Sequence, residues 1–153
     1  MKKYVLPALL VCVVVSAFSV SVTSTAKKPI LNHIALSVME LKRSTNFYQQ
    51  IIQIDTIPEP FHDGKHTWFS IAEHSHLHLI ETGADLKEKD KNTHLCFSVE
   101  SIEEVIKRLD KAGIAWSNWQ GTPRTQTVRV DGVKQIYFQD PDGYWIEINN
   151  DKY

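Results

Sequence analysis

The feature that most constrains this chain is an internal repeat. His33-Ile34-Ala35-Leu36-Ser37-Val38 matches His94-Leu95-Cys96-Phe97-Ser98-Val99 at an offset of 61, and Leu41 and Ile102 continue the match. Farther along, Phe69 to His78 aligns with Phe138 to Glu147 at an offset of 69, the added length falling in a second-half loop around Gly121 to Gly132. Self-similarity of this kind means one supersecondary unit used twice, each copy burying apolar surface that it cannot bury alone.

The periodicity says what that unit is. Each opening segment alternates as a strand does and is followed by a helical pattern. In the second half Ile102, Val105, Ile106 and Leu109 fall on one helical face, Ser101 with Glu104 forms a capping box, and Gly113 stands where a glycine ends a helix. The first-half helix runs from Leu41 to Ile52 and buries Phe47, Ile51 and Ile52. Three strand-like runs follow each helix: near Thr56, Thr67–Ile71 and Leu77–Glu81, then Ala115–Trp119, Val133–Gln139 and Trp145–Asn149. Asp140-Pro141-Asp142-Gly143 is a tight turn, so both halves end in a hairpin. The expected class is α+β: two βαβββ modules, about 31–82 and 92–150, whose curled mixed sheets enclose a shared cavity within a single domain spanning 27–153.

The first 26 residues read differently. Met1-Lys2-Lys3 is followed by an apolar run from Tyr4 to Val22 and a small-residue end at Ser24-Thr25-Ala26. A positive start, an apolar middle and small residues before the junction make the pattern of a cleaved secretory signal peptide. The expectation is export to the periplasm or the cell exterior, or a membrane anchor if the leader is retained. Cys12 lies in this leader, which leaves Cys96 without a partner for a disulfide. With 42% hydrophobic and 23% charged residues the composition is that of a globular chain, and a net charge of −1 offers no footprint for nucleic acid.

The seven histidines carry the chemistry. In the repeat, His33 and His94 hold equivalent places on the first strands, and His78 and Glu147 on the last. Side chains alternate along a strand, so the apolar neighbours (Ile34 and Leu36, Leu77 and Leu79, Ile146 and Ile148) pack on the helix side and these four face the cavity. Three imidazoles and a carboxylate meeting at a pseudo-twofold axis suit one divalent transition metal, Zn, Ni, Co or Fe. Glu81 is a rival fourth ligand of opposite strand parity. His76 shares the parity of His78 and is a candidate second group or proton shuttle. His62, His66 and His74 read as loop or hairpin positions, and Cys96 as a small filler. Arg124 and Arg129 read as loop charge, with contact to an anionic substrate as the alternative.

The segments Asn32-His33-Ile34-Ala35-Leu36-Ser37-Val38, Phe47-Tyr48, Thr93-His94-Leu95-Cys96-Phe97-Ser98-Val99 and Asp140-Pro141-Asp142-Gly143-Tyr144-Trp145-Ile146-Glu147 resemble the vicinal oxygen chelate superfamily, the glyoxalase/bleomycin-resistance/dioxygenase fold. The resemblance implies a metal held at these strand positions, with exchangeable sites where two neighbouring substrate oxygens chelate it. His33, His94 and Glu147 match the family's ligand types. A histidine at 78 departs from them, since glyoxalase I-like members carry a carboxylate there and ring-cleaving members no ligand. The reading this supports is an exported metal-dependent enzyme of glyoxalase-like, lyase or isomerase type. It acts on a small-molecule substrate, with Glu147 or His76 moving the proton. A metal-free bleomycin-resistance-type binding protein, an Fe(II) extradiol-type dioxygenase and a fosfomycin-resistance-type transferase stay open beside it. In some relatives the modules pair within a chain and in others between chains, and a homodimer is the expectation here.

Overall fold

The strands and helices follow the repeat almost residue for residue. The computed structural model describes residues 28–84 and 88–152; the expected leader over 1–26 lies outside them. The first module contains β1 (His33–Val38), α1 (Leu41–Phe47), β2 (Thr56–Ile57), β3 (His66–Ala72) and β4 (Ser75–Glu81). The second contains β5 (His94–Ser98), α2 (Ile102–Ala112), β6 (Trp116–Ser117), β7 (Thr127–Val128), β8 (Lys134–Gln139) and β9 (Trp145–Asn149). The sheets run β1-β4-β3-β2 and β5-β9-β8-β6, with β1 parallel to β4 and β5 parallel to β9. Strand β7 lies in the long second-half loop, expected to be irregular, and pairs with β8.

Local chemistry explains the helices. Ser101 caps α2 by accepting from Glu104 N, and Gly113 ends it at φ 68. The expected reciprocal bond from Glu104 is not made; its carboxylate accepts from Lys107 instead. Helix α1 is capped twice, by Glu40 accepting from Arg43 N and by Glu81 accepting from Leu41 N. The helix expected to run to Ile52 does so, but its last stretch (Tyr48–Ile52) widens to a π-turn, closed by Gln53 N donating to Tyr48 O at 2.9 Å.

Parity then sorts the faces. Leu36, Val38, Phe69, Leu77 and Leu79 of the first sheet join Ile136, Phe138, Ile146 and Ile148 of the second, together with Phe47, Tyr48, Val105 and Leu109, in one core. Phe47 packs on Phe138 at 6.3 Å between ring centres, and Tyr48 Oη donates to Asp140 across the two modules. Apolar burial on this scale, at about 25 cal/mol per Å², holds the two modules together by their helix-side faces. The polar faces therefore lie on the far side of each sheet from the shared core.

Candidate functional site

The register bears out the equivalences read from the repeat. Ala35 pairs with His78 and Cys96 with Glu147, while His33 pairs with His76 and His94 with Trp145. All four expected ligands stand on the polar faces. They gather, however, as two pairs. Among the described residues no group of three or more His, Cys, Asp or Glu side chains is placed to hold a metal ion. The single-chain cavity with four converging groups is thus not formed; one pair stands on each sheet.

On the second sheet, His94 Nε2 faces Glu147 Oε2 at 3.2 Å. His94 Nδ1 lies 2.8 Å from the Lys91 carbonyl. A carbonyl only accepts, so Nδ1 carries the ring proton. Nε2 is then the nitrogen that meets the carboxylate. A backbone acceptor on one ring nitrogen is also how a metal-binding histidine is oriented. Around Glu147 the donors are numerous. Tyr137 Oη donates to Oε2 at 2.6 Å, and Gln135 Nε2 and Asn149 Nδ2 donate to Oε1 at 2.7 and 3.0 Å. Burial pushes this carboxyl up, but the hydrogen bonds from Tyr137, Asn149, Cys96 and Gln135 outweigh it and hold the group below its ordinary value. Desolvation first, and then the same carboxylate, push the Cys96 thiol up to about 12.

Lys91 closes this face. Its ammonium donates to the Asn118 and Trp119 carbonyls and lies over the rings of Tyr137, Trp145 and Trp119 at 4.5, 4.8 and 5.4 Å. Desolvation among these rings lowers its pKa. Tyr137, Gln135 and Asn149 escaped the sequence reading, although all three share a strand face with Glu147 and alternation flags them. Lys91 lies in a loop, and nothing in its local pattern marks it.

On the first sheet His33 Nδ1 lies 2.8 Å from Asn32 Oδ1, again leaving Nε2 free. The His78 ring is stacked between Trp68 (3.9 Å, 2°) and His33 (4.4 Å, 7°). A metal lies in the plane of each imidazole that binds it, and stacked parallel rings share no in-plane point. His33 and His78 as placed do not bind one ion together. His78 is only 8% exposed, and its Nε2 has no hydrogen-bond partner. Desolvation first, then the nearby His33, His76 and His66, lower its pKa. His76 stands beside His33 on the wall of the same hollow.

The remaining nominees have other partners. Glu81, the rival ligand, is on the helix side capping α1. His66 bonds to Asp63, His62 and His74 stand on the surface beside Glu59 and Glu73, Arg124 pairs with Asp110, and Arg129 pairs with Asp131 and Asp151. Asp140 and Asp142 of the tight turn do more than turn the chain. Asp142 accepts from Met39 N, Arg43 and Ser44, tying the second module to the first.

Two curled open sheets of βαβββ type, with a histidine on each first strand and a glutamate on the last, define a class. Residues 30–148 match the family model described as the Glyoxalase/Bleomycin resistance protein/Dioxygenase superfamily, and the chain belongs to that family. It is 30% identical over 126 residues to Glyoxylase I 4 of Arabidopsis thaliana, covering 78% of this chain and 70% of that protein. It is 28% identical over 125 residues to Metallothiol transferase FosB of Staphylococcus epidermidis, covering 78% and 80%. Among solved structures it superposes on Oxidase ChaP-H2 with a TM-score of 0.69 at 21% identity, covering 83% of this chain and 97% of that one. A glyoxalase/dioxygenase from Nostoc punctiforme gives a TM-score of 0.67 at 24% identity, covering 87% and 98%. These structural likenesses describe the fold.

Proposed function

We propose that the protein is an exported, metal-dependent, glyoxalase-like enzyme that works as a homodimer on a small molecule with two neighbouring oxygens. His33 of one copy and His94 with Glu147 of the other would hold one divalent ion, Zn, Ni, Co or Fe. The observation that carries this reading is the His94–Glu147 pair: an imidazole locked in one tautomer, its free nitrogen aimed at a carboxylate kept ionised by its donors. Sharing between copies is supported by the polar faces lying away from the core, and by β1 and β5 each ending its sheet with an open edge. The leader pattern supports export.

When bound, the ion supplies Lewis-acid polarisation of a carbonyl or oxygen pair. Glu147, surrounded by donors and held below its ordinary pKa, is a weak base that stays anionic. We therefore assign proton transfer to His76, beside His33 on the hollow's wall, imidazole being the commonest general acid–base. His78 stays outside the ligand set because its ring is stacked flat on His33. Tyr137, Gln135 and Asn149 keep the carboxylate oriented, and Lys91 with its aromatic ring wall excludes water from one side of the pair.

The test uses purified protein loaded separately with each of the four metals, His33→Ala and Glu147→Ala variants, and a refolded equimolar mixture of the two. A three-ligand site takes one ion per chain, lost in both variants. Random pairing in a twofold dimer makes half the molecules mixed, each with one intact site, so the mixture recovers roughly a quarter of the sites. A mixture that recovers none sinks the shared site. A parent that takes up none of the four metals sinks the enzyme reading.

A further inference from the structure

The first sheet carries more than His33 on its polar face. Its polar face is hollowed to about 450 Å³, bounded by His33, Phe61, His66, Trp68, His76 and His78 among others. That volume falls in the range of small-molecule sites, which are mostly apolar and aromatic with a few placed polar groups. The rings are ordered. Trp68, His78 and His33 form one parallel stack, His76 lies 6.3 Å from Trp68 at 26°, and Phe61 leans on His66 at 4.6 Å.

From this arrangement we infer that the hollow is a subsite for a flat, uncharged aromatic ring, carried by a substrate whose oxygens reach the ion at His33. Three observations converge on that class. Among the described residues no lysine or arginine lines the hollow, so a phosphonate or carboxylate would find no permanent cation from them. Trp68 Nε1 and His78 Nε2 are buried with no partner among the described residues. The indole nitrogen is a donor only, so an acceptor oxygen admitted beside it as the neighbouring Phe61 ring gives way supplies what the free protein lacks. Phe61 is 58% exposed on the loop before β3, over the edge of Trp68 at 6.1 Å and 79°. A large aromatic side chain left in water at the rim of an aromatic hollow closes favourably on a second flat face. Ring binding uses this chain's own residues; only the placement of the ligand oxygens rests on the metal reading above.

The experiment is calorimetric titration of the whole protein, stripped of metal by chelator, with 2-naphthol and separately with methylphosphonate. The titrations are repeated on Phe61→Ala and Trp68→Leu, with zinc uptake measured on every sample. The expected result is 2-naphthol binding without metal, weakened about tenfold in Phe61→Ala and further in Trp68→Leu, and no heat from methylphosphonate. With zinc present, 2,3-dihydroxynaphthalene then binds more tightly than 2-naphthol. Because Phe61 is exposed, its removal leaves the fold intact, so an unaffected Phe61→Ala overturns the subsite. So does a parent that ignores 2-naphthol, or one that takes methylphosphonate instead. Zinc uptake without naphthol binding defeats this inference and spares the metal reading; naphthol binding without zinc uptake does the reverse.

Discussion

Replacing Asp142 by alanine tests whether the tight turn of the second module fastens the first. The Asp142 side chain is fully enclosed and accepts from Met39 N at 2.9 Å, from Arg43 Nη2 at 2.8 Å and from the Ser44 hydroxyl. Truncation affects these donors unequally. The Arg43 side chain is 42% exposed and returns to water, so its pair is worth well under about 1 kcal/mol. Ser44 is completely buried and is left as an unsatisfied donor, costing about 1–3 kcal/mol, with a further ~1 kcal/mol for the Met39 amide. The expected loss is about 2–4 kcal/mol, a large part of the roughly 5–15 kcal/mol by which a domain is stable. Asp142→Asn keeps one acceptor and offers its amide to the Ser44 oxygen, so it costs about 1 kcal/mol. Guanidinium unfolding followed by circular dichroism reads both as shifts in midpoint at unchanged slope. If the orphaned hydroxyl carries the cost, adding Ser44→Ala to Asp142→Ala recovers about 1 kcal/mol. An Asp142→Ala protein within about 0.5 kcal/mol of the parent, or a double variant showing no recovery, refutes the reasoning.

Tyr137→Phe removes the 2.6 Å buried bond to Glu147 Oε2 while leaving the ring in place; on the proposed metal site, affinity measured by chelator competition is expected to fall roughly 10–100-fold, with stability down by about 1.5–3 kcal/mol. Asp140 sets a pH dependence of unusual sign. Burial, only partly offset by hydrogen bonds from Tyr144, Tyr48 and Asp142, raises its pKa above 3.8, so between that value and the folded one the native state holds more protons than the unfolded. In that window the Asp140 contribution to stability falls as pH rises, and thermal unfolding against pH should lose this component in Asp140→Asn.

Much of the architecture was legible along the chain because its signals are local. The repeat from His33 and His94, the helical face of Ile102 to Leu109 with its Ser101 cap and Gly113 stop, and strand alternation beside His78 and Glu147 each depend on residues a few places apart. From these come the two modules, the parity of every nominated ligand, and the opposite parity of the rival Glu81, whose carboxylate caps α1. Even the equivalence of His78 with Glu147 is visible in one dimension, since a parallel pair inherits its register from the repeat.

What no local pattern carries is how the modules meet. Two like sheets can close around their polar faces or join through their apolar ones, and both choices satisfy the same alternation. Phe47 against Phe138, Tyr48 on Asp140 and Asp142 on Ser44 are contacts between residues about 90 to 100 positions apart, and they settle it. The consequence reaches the chemistry: the nominated ligands appear as a His33–His78 stack on one sheet and a His94–Glu147 pair on the other. Sequence alone determined which way the nominated residues point from their strands. Long-range packing decided which of them meet, because side-chain direction is set by the backbone of one strand, whereas convergence depends on where a second sheet comes to rest.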